Sequence, residues 1–209
     1  MQSPETLLMF FTASILLALA PGPDNLFVLT QSAQRGKLAG IAVTFGLCTG
    51  IIVHTMGVAL GVAALFQASA LAFNLLKYIG AGYLLYLAYL SFRTIGGTRA
   101  EQKTEKIPIR KLYRRGILMN VTNPKVSIFF LAFLPQFTDP TIGPLFPQFL
   151  LLGFLFIVTT ILVFGGISLL AGSIGDYFRK SNRAENILNR MAGTVFVILA
   201  IKLALATRQ

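Results

Sequence analysis

Asp24 stands in Pro21-Gly22-Pro23-Asp24-Asn25, inside a hydrophobic stretch that otherwise runs from about Leu7 to Leu29. A proline removes a backbone donor and clashes with the preceding turn, and a carboxylate near mid-membrane costs about 2.5 to 3.5 kcal/mol on the mildest insertion scale. Such a sequence is expected where a broken helix lines a polar cavity, because freed carbonyls and amides can then meet a ligand. A buried carboxylate there can also take up and release a proton, which makes Asp24 the candidate for proton coupling. Asn120-Val121-Thr122-Asn123-Pro124-Lys125 repeats the combination of proline, asparagine and charge in another hydrophobic stretch. Asp24, Asn25, Asn123 and Lys125 together offer an anion, a cation and two amides, a set suited to binding a zwitterion such as an amino acid. Pro21, Gly22, Pro23 and Pro124 are the helix breaks that would expose them.

Each of these residues also has a plainer reading. Asp24 can cap a helix starting near Asn25, the break then marking a bend only. Lys125 lies about eleven residues into its hydrophobic segment, deep for simple snorkelling. It can bind a substrate carboxylate or pair with Asp24; the alternative is a stem that reaches the headgroups along a shortened helix. Asn25, Asn120 and Asn123 can serve as helix–helix glue worth about 0.6 to 2 kcal/mol each. His54, the single histidine, has no Asp, Glu or Cys at metal-ligand spacing on its segment. No metal site is therefore expected, and hydrogen-bonded packing is preferred to a proton relay. Lys77 opens Lys77-Tyr78-Ile79-Gly80-Ala81-Gly82-Tyr83 and is either an interior group or a snorkelling one anchored by Tyr78.

The elements that must hold these groups follow from composition. The chain has 209 residues, 55% hydrophobic and 12% charged, with a mean hydropathy of +0.74, far more apolar than a soluble domain of this length. A bilayer core of about 30 Å needs about 20 helical residues. Six stretches meet or approach that length, at roughly 5 to 30, 39 to 66, 70 to 92, 114 to 136, 145 to 173 and 190 to 207. Met1-Gln2-Ser3-Pro4-Glu5 lacks the basic flank of a signal peptide, so the first stretch is expected to be a retained span. Cys48 is the single cysteine and says nothing of the redox compartment.

The net charge of +11 reports topology. Arg35 and Lys37 lie in the first connection, eight basic residues from Arg93 to Arg115 in the third, and Arg179, Lys180, Arg183 and Arg190 in the fifth, fourteen of the eighteen Lys and Arg. By the positive-inside rule these connections are cytoplasmic and both termini are outside. No basic run is interleaved with aromatics, so nucleic acid is not an expected partner. The expected architecture is an all-α polytopic membrane protein of six transmembrane helices. Residues 1–93 form a first three-helix half, 94–113 a basic cytoplasmic linker and 114–209 a second half. An odd number of spans per half inverts the second half relative to the first, as in an inverted repeat.

Small residues recur four apart in Gly36-x-x-x-Gly40, Gly46-x-x-x-Gly50 and Gly57-x-x-x-Gly61, the pattern of close helix contact within one chain or across a dimer. Gly165-Gly166 and Gly172 are candidate points of flexure in the fifth segment. The chain contains no Gly-x-x-x-x-Gly-Lys-Ser/Thr motif and no cluster of catalytic side chains, so neither an ATP-driven pump nor an enzyme is expected, and no cofactor is implied.

Four motifs together carry a resemblance. Pro21-Gly22-Pro23-Asp24-Asn25, Arg35-Gly36-x-x-x-Gly40, Tyr78-x-Gly80-x-x-Tyr83-Leu84-x-Tyr86-Leu87 and Asn120-x-x-Asn123-Pro124-Lys125 resemble the pattern of the lysine exporter (LysE/RhtB) family, in its homoserine/threonine-resistance branch. The resemblance covers almost the full length. It implies a secondary transporter of the bacterial inner membrane that expels amino acids or close derivatives of the threonine, homoserine, homoserine lactone or leucine type. It also implies proton antiport, a homodimer, and a substrate pathway near both breaks. The competing classes are a small polar-solute channel and a non-transport membrane scaffold. Cargo volume depends on which of Phe27, Phe45, Phe129, Phe130 and Phe133 face the cavity, and helical periodicity cannot rotate six helices against one another. A reporter fused after Gln209 is expected to read as external; a cytoplasmic reading would overturn the six-span count.

Overall fold

The computed structural model describes residues 2–20, 22–68, 70–93, 107–180 and 182–205. Pro21 and residues 94–106, most of the expected linker, lie outside the described residues.

The described chain is helical throughout its regular elements. Helix α1 (Pro4–Leu19) starts where the Ser3 hydroxyl accepts the Thr6 amide at 3.2 Å, with Pro4 in the first turn where its missing donor costs little. It stops at Ala20, and α2 (Pro23–Arg35) restarts after an extended Gly22 at an angle of 61° to α1. Gly36 ends α2 with a φ of 84°, a region that favours glycine, and its amide bonds the Ser32 carbonyl at 2.9 Å. Helix α3 (Lys37–Ala68) is 32 residues long and α4 (Ala70–Arg93) 24.

The second part of the chain is also broken near its start. Helix α5 (Ile109–Val121) gives way at Thr122 to the short α6 (Pro124–Ile128), and the two arms are bent by 48°. α5 begins at Ile109, before the expected start of the fourth segment at 114. α6 continues as a π-helical turn, Phe129–Phe133, and a 3-10 turn, Leu134–Phe137. Pro135 supplies a reason, since a proline inside a helix cannot donate to the carbonyl four residues back, and the ladder changes its winding around it. Helix α7 (Leu145–Lys180) is 36 residues long, and α8 (Asn182–Leu205) starts earlier than the expected sixth segment.

α3, over Lys37–Gly61, and α7, over Leu145–Leu170, are each long and apolar enough to cross a bilayer, and counting each bent pair as one span brings the number to four. Phe196–Leu205 adds a shorter apolar stretch in α8. Leu60 on α3, Ile79 on α4, and Phe154 and Leu162 on α7 are exposed. In hydrocarbon such surface carries no penalty, so helix association must come from packing and polar contacts.

That packing crosses between the two parts of the chain. α3 lies most extensively against α5 and α7, and α4 against α8, while α2 packs on α3 and α7. One core gathers Phe10, Leu17, Ile51, Leu84, Phe129, Phe133, Phe149 and Phe196; a second gathers Val28, Val43, Leu47, Leu112 and Phe164. Phe129 meets Phe133 at 4.9 Å between centroids, Phe133 meets Phe137 at 5.0 Å, and Phe137 meets Phe10 edge-on at 5.2 Å.

Beyond this aromatic stack a polar clasp closes the loop before α7. Gln148 donates to the carbonyls of Asp139 (2.8 Å) and Gly143 (3.1 Å) and accepts the Asp139 amide (2.9 Å). Gln2 donates to the Phe137 carbonyl at 2.5 Å. The Thr141 hydroxyl, followed by its amide, holds the exposed Asp139 carboxyl below its usual range.

The glycine pairs divide by environment. A Cβ on Gly46 would press on the Tyr113 carbonyl and stand 3.0 Å from the Gly116 Cα, so α3 and α5 meet backbone to backbone. Gly57 has nothing within 4 Å of that position, and neither does Gly61. Gly46→Val should therefore lower the thermal unfolding temperature of detergent-solubilised protein, by an overpacking cost of about 1 to 3 kcal/mol. Gly57→Ala should leave it unchanged or slightly raised; equal effects of the two would refute the contact.

Candidate functional site

The break between α1 and α2 leaves a defined deficit. In a continuous helix the Leu17 carbonyl would accept from residue 21, which is proline and has no N–H. Ala18 would accept from Gly22, whose backbone is extended, so it too lies at a helix end without its regular donor. The second break supplies much of what is missing. The Lys125 ammonium donates to the Leu17 carbonyl at 3.1 Å and to the Ala20 carbonyl at 3.0 Å. Asn25 reaches back and donates to the Ala18 carbonyl at 2.5 Å. A cation at the carboxyl end of α1 also meets the negative pole of that helix.

Gly22 makes room for this arrangement. A Cβ on it would stand 3.1 Å from the Lys125 Nζ. Lys125 is only 6% exposed, so its stem runs inward and not toward the headgroups. Among the described residues Asp24 and Lys125 form no ion pair within 4.0 Å, so of the alternatives for Lys125 direct pairing with Asp24 is not the one seen, and its ammonium caps α1.

Asp24 sits in the first turn of α2, whose cap is Gly22 and whose first residue is Pro23. The helix therefore does not start near Asn25 with Asp24 as its cap. The carboxylate is 3% exposed and lies near the positive pole of α2. Its Oδ2 accepts from the Asn120 side-chain amide at 3.3 Å, and its Oδ1 has no hydrogen-bond partner.

At the second break Asn123 caps α6, its Oδ1 accepting the Lys125 amide at 3.0 Å, with Pro124 in the first turn. Its side-chain Nδ2 is buried and unpartnered, as are Oδ1 of Asn25 and Oδ1 of Asn120. The Asn120 carbonyl accepts from the Asn123 amide at 3.0 Å and lies 3.0 Å from Nε2 of His54, whose ring packs by Phe130 at 5.6 Å. His54 is thus a hydrogen-bonded packing residue that ties α3 to the second break.

Asn120, an amide suited to recognising a zwitterion or to serving as helix glue, is the member of this group left out of the expected binding set. It bonds Asp24 with its side chain and His54 with its carbonyl, and a Cβ on Gly50 would come within 2.6 Å of its side chain. Its signal was the spacing Asn120-x-x-Asn123, almost one helical turn. Lys77 is buried on α4, as the interior reading expects, while its ammonium stands 4.6 Å from the centre of the exposed Tyr78 ring, the anchor of the snorkelling reading. Phe129, Phe130 and Phe133 are fully buried, Phe45 is exposed, and Phe27 lies under the Arg115 guanidinium at 5.9 Å.

Buried charges and half-satisfied amides at two helix breaks, within a polytopic helical bundle, define a membrane transporter of the broken-helix kind. Residues 15–207 match the family described as LysE type translocator, and the chain belongs to that family. It is a multi-pass translocator of the bacterial inner membrane, not an enzyme. Among its relatives is a homoserine/homoserine lactone efflux protein of Salmonella typhimurium, 34% identical over 197 residues that cover 94% of this chain and 95% of that protein. Uncharacterized membrane proteins of Vibrio cholerae (33% identity, 95% of this chain and 96% of that one) and Pseudomonas aeruginosa (35%, 92% of each) are similarly related. No solved structure matches.

Lys125→Met would leave the Leu17 and Ala20 carbonyls without their donor, and an unsatisfied buried group costs about 1 to 3 kcal/mol. The expected outcome is a lowered unfolding temperature in detergent, partly restored by Lys125→Arg. An unchanged temperature for the methionine variant would remove the capping role.

Proposed function

We propose that this protein is a secondary exporter of amino acids or close derivatives, with its cargo bound between the first-span and fourth-span breaks and proton entry driving its cycle. The observation that carries this reading is the interlock of the breaks, where Lys125, Asn25 and Asn120 join the two broken helices while Asp24, Asn25 and Asn123 each keep one unpartnered buried polar atom. Buried polar atoms are normally satisfied, and a site that waits for a ligand accounts for several unsatisfied ones together. Family membership and the efflux activity printed for the Salmonella relative support the same direction of transport. Homoserine and its lactone, named for that relative, share a primary amine and differ in whether the carboxylate is free.

In this reading α1–α2, α3 and α4 form the first half, residues 1–93, and the spans from α5 onward form the inverted second half, residues 114–209, joined by the basic linker 94–113. Both termini are external, as the basic connections indicate. Packing of α3 on α5 and α7 suits two halves that move against each other around a shared site. Asn25 and Asn123 orient the cargo, and Lys125, which has a third N–H beyond its two carbonyl bonds, helps to hold a carboxylate. Asp24 takes a proton from outside as cargo leaves and returns it to the cytoplasm. A homodimer finds a contact surface in the open Gly57 and Gly61 face of α3.

The test is transport by purified protein in vesicles, guided by amino-acid pools measured inside and outside an overexpressing strain. Wild type should move the identified amino acid uphill on a pH gradient, and Asp24→Asn should lose uphill transport, its downhill flux persisting only at raised cargo concentration while its unfolding temperature in detergent is kept. Uphill transport by Asp24→Asn would exclude Asp24 as the coupling group. Flux that never accumulates cargo would turn the reading into a channel.

A further inference from the structure

We infer that the Asp24 carboxylate is one seat used in turn by a proton and by the primary ammonium of the cargo, so that a free amine, and not a free carboxylate, decides what this protein carries. The inference rests on the transport reading above and adds to it the chemical group that is recognised.

The two charged groups of the site are unequally free. Lys125 already donates to two backbone carbonyls, one of which has no other regular donor because residue 21 is a proline. Its one remaining N–H can meet a cargo carboxylate only where the ammonium already stands, since drawing it further away would reopen the end of α1. Asp24 carries no comparable structural duty. Its Oδ2 accepts one long bond from the Asn120 amide and the Asn123 amide faces it, but its Oδ1 accepts no well-formed bond, although a carboxylate offers about four acceptor positions.

The neighbouring groups add to the excess of acceptors. Asn25, next in the same helical turn, has its amide nitrogen held by Ala18 and leaves a buried carbonyl oxygen unpartnered. The unpartnered buried atoms of the site are three acceptors, Oδ1 of Asp24, Asn25 and Asn120, against one donor, Nδ2 of Asn123, which faces Asp24. An ammonium brings three donors and a positive charge to such a place, whereas a carboxylate would bring more acceptors and a like charge. Lys125 from α6 and His54 from α3 are the basic groups that face Asp24, and among the described residues it is the only acid at either break.

One seat with two claimants couples them without further machinery. When the ammonium binds, the carboxylate must be ionised, so its proton has left; when the proton returns, the ammonium has no counter-charge and is released. Each exchange replaces one positive charge by another, and no bond other than the O–H of the carboxyl is made or broken. An amino-acid ester, amide or lactone keeps the recognised group. An N-acyl amino acid loses both the charge and two of the three donors.

The experiment uses wild-type protein in vesicles and the amino acid identified by the pool measurement, together with its methyl ester and its N-acetyl derivative as competitors. The ester should compete within a few-fold of the parent and the N-acetyl compound about 10- to 100-fold less well, the worth of a charge-assisted hydrogen bond. Acidifying the side from which cargo binds should raise the half-saturating concentration by up to about tenfold per pH unit at constant maximal rate. In Asp24→Asn the half-saturating concentration should be about 10- to 100-fold higher than in wild type and should no longer depend on that pH. Equal competition by the N-acetyl compound, or a fall in maximal rate alone, would overturn the shared seat while leaving transport intact. Absence of flux for every amino acid would overturn the transport reading and this inference with it.

Discussion

In hydrocarbon a backbone carbonyl without a donor has no water to turn to. Pro21 cannot donate to Leu17, and α1 therefore ends with carbonyls that some other part of the chain must satisfy. The donor comes from Lys125, on an element that is itself the product of a proline break. Each interruption thus helps to complete the other. The bends of 61° between α1 and α2 and of 48° between α5 and α6 are tolerable because the exposed ends face one another.

From that constraint the rest of the packing follows. Bringing α6 to the end of α1 places Asn120, in the last turn of α5, within reach of Asp24 in the first turn of α2. Asn120 can lie there only because Gly50 on α3 has no side chain, and the backbone of α5 can approach α3 only because Gly46 and Gly116 face each other. The aromatic stack from Phe129 to Phe137 and Phe10 then fills the space on from the site, up to the clasp of Gln2 and Gln148. The proposed site is consequently a by-product of how two broken helices are sealed, with the leftover valences of Asp24, Asn25 and Asn123 as its chemistry.

Much of this was legible in particular residues. Two prolines, a glycine and an acid inside an apolar run marked the first break, and Asn123-Pro124-Lys125 marked the second, though not that Asn123 caps the helix that follows. What the sequence could not show was direction. Lys125 carries the same letter whether its stem runs to the headgroups, to a carboxylate or to the carbonyls of Leu17 and Ala20; only the spatial meeting of the breaks chooses. The glycine pairs make the same point, since Gly46 and Gly57 share a spacing signature, but one faces α5 and the other open space. Hydropathy also placed the start of the fourth segment late, because the basic first turns of α5 are helical without being apolar. The π turn at Phe129–Phe133 had Pro135 as its single hint.

The bond from Lys125 to Leu17 spans 108 residues of chain, and this separation has a meaning in time as well as in space. A ribosome adding about 5 to 20 residues per second needs on the order of 5 to 20 seconds to make that stretch. Throughout that interval the first broken helix is already emerging with its carbonyl end uncapped. Those carbonyls are expected to stay at an aqueous boundary, or to lean on the insertion machinery, until Lys125 arrives. Birth of this protein in the membrane is therefore expected to be concerted, with its first helix among the last elements to settle.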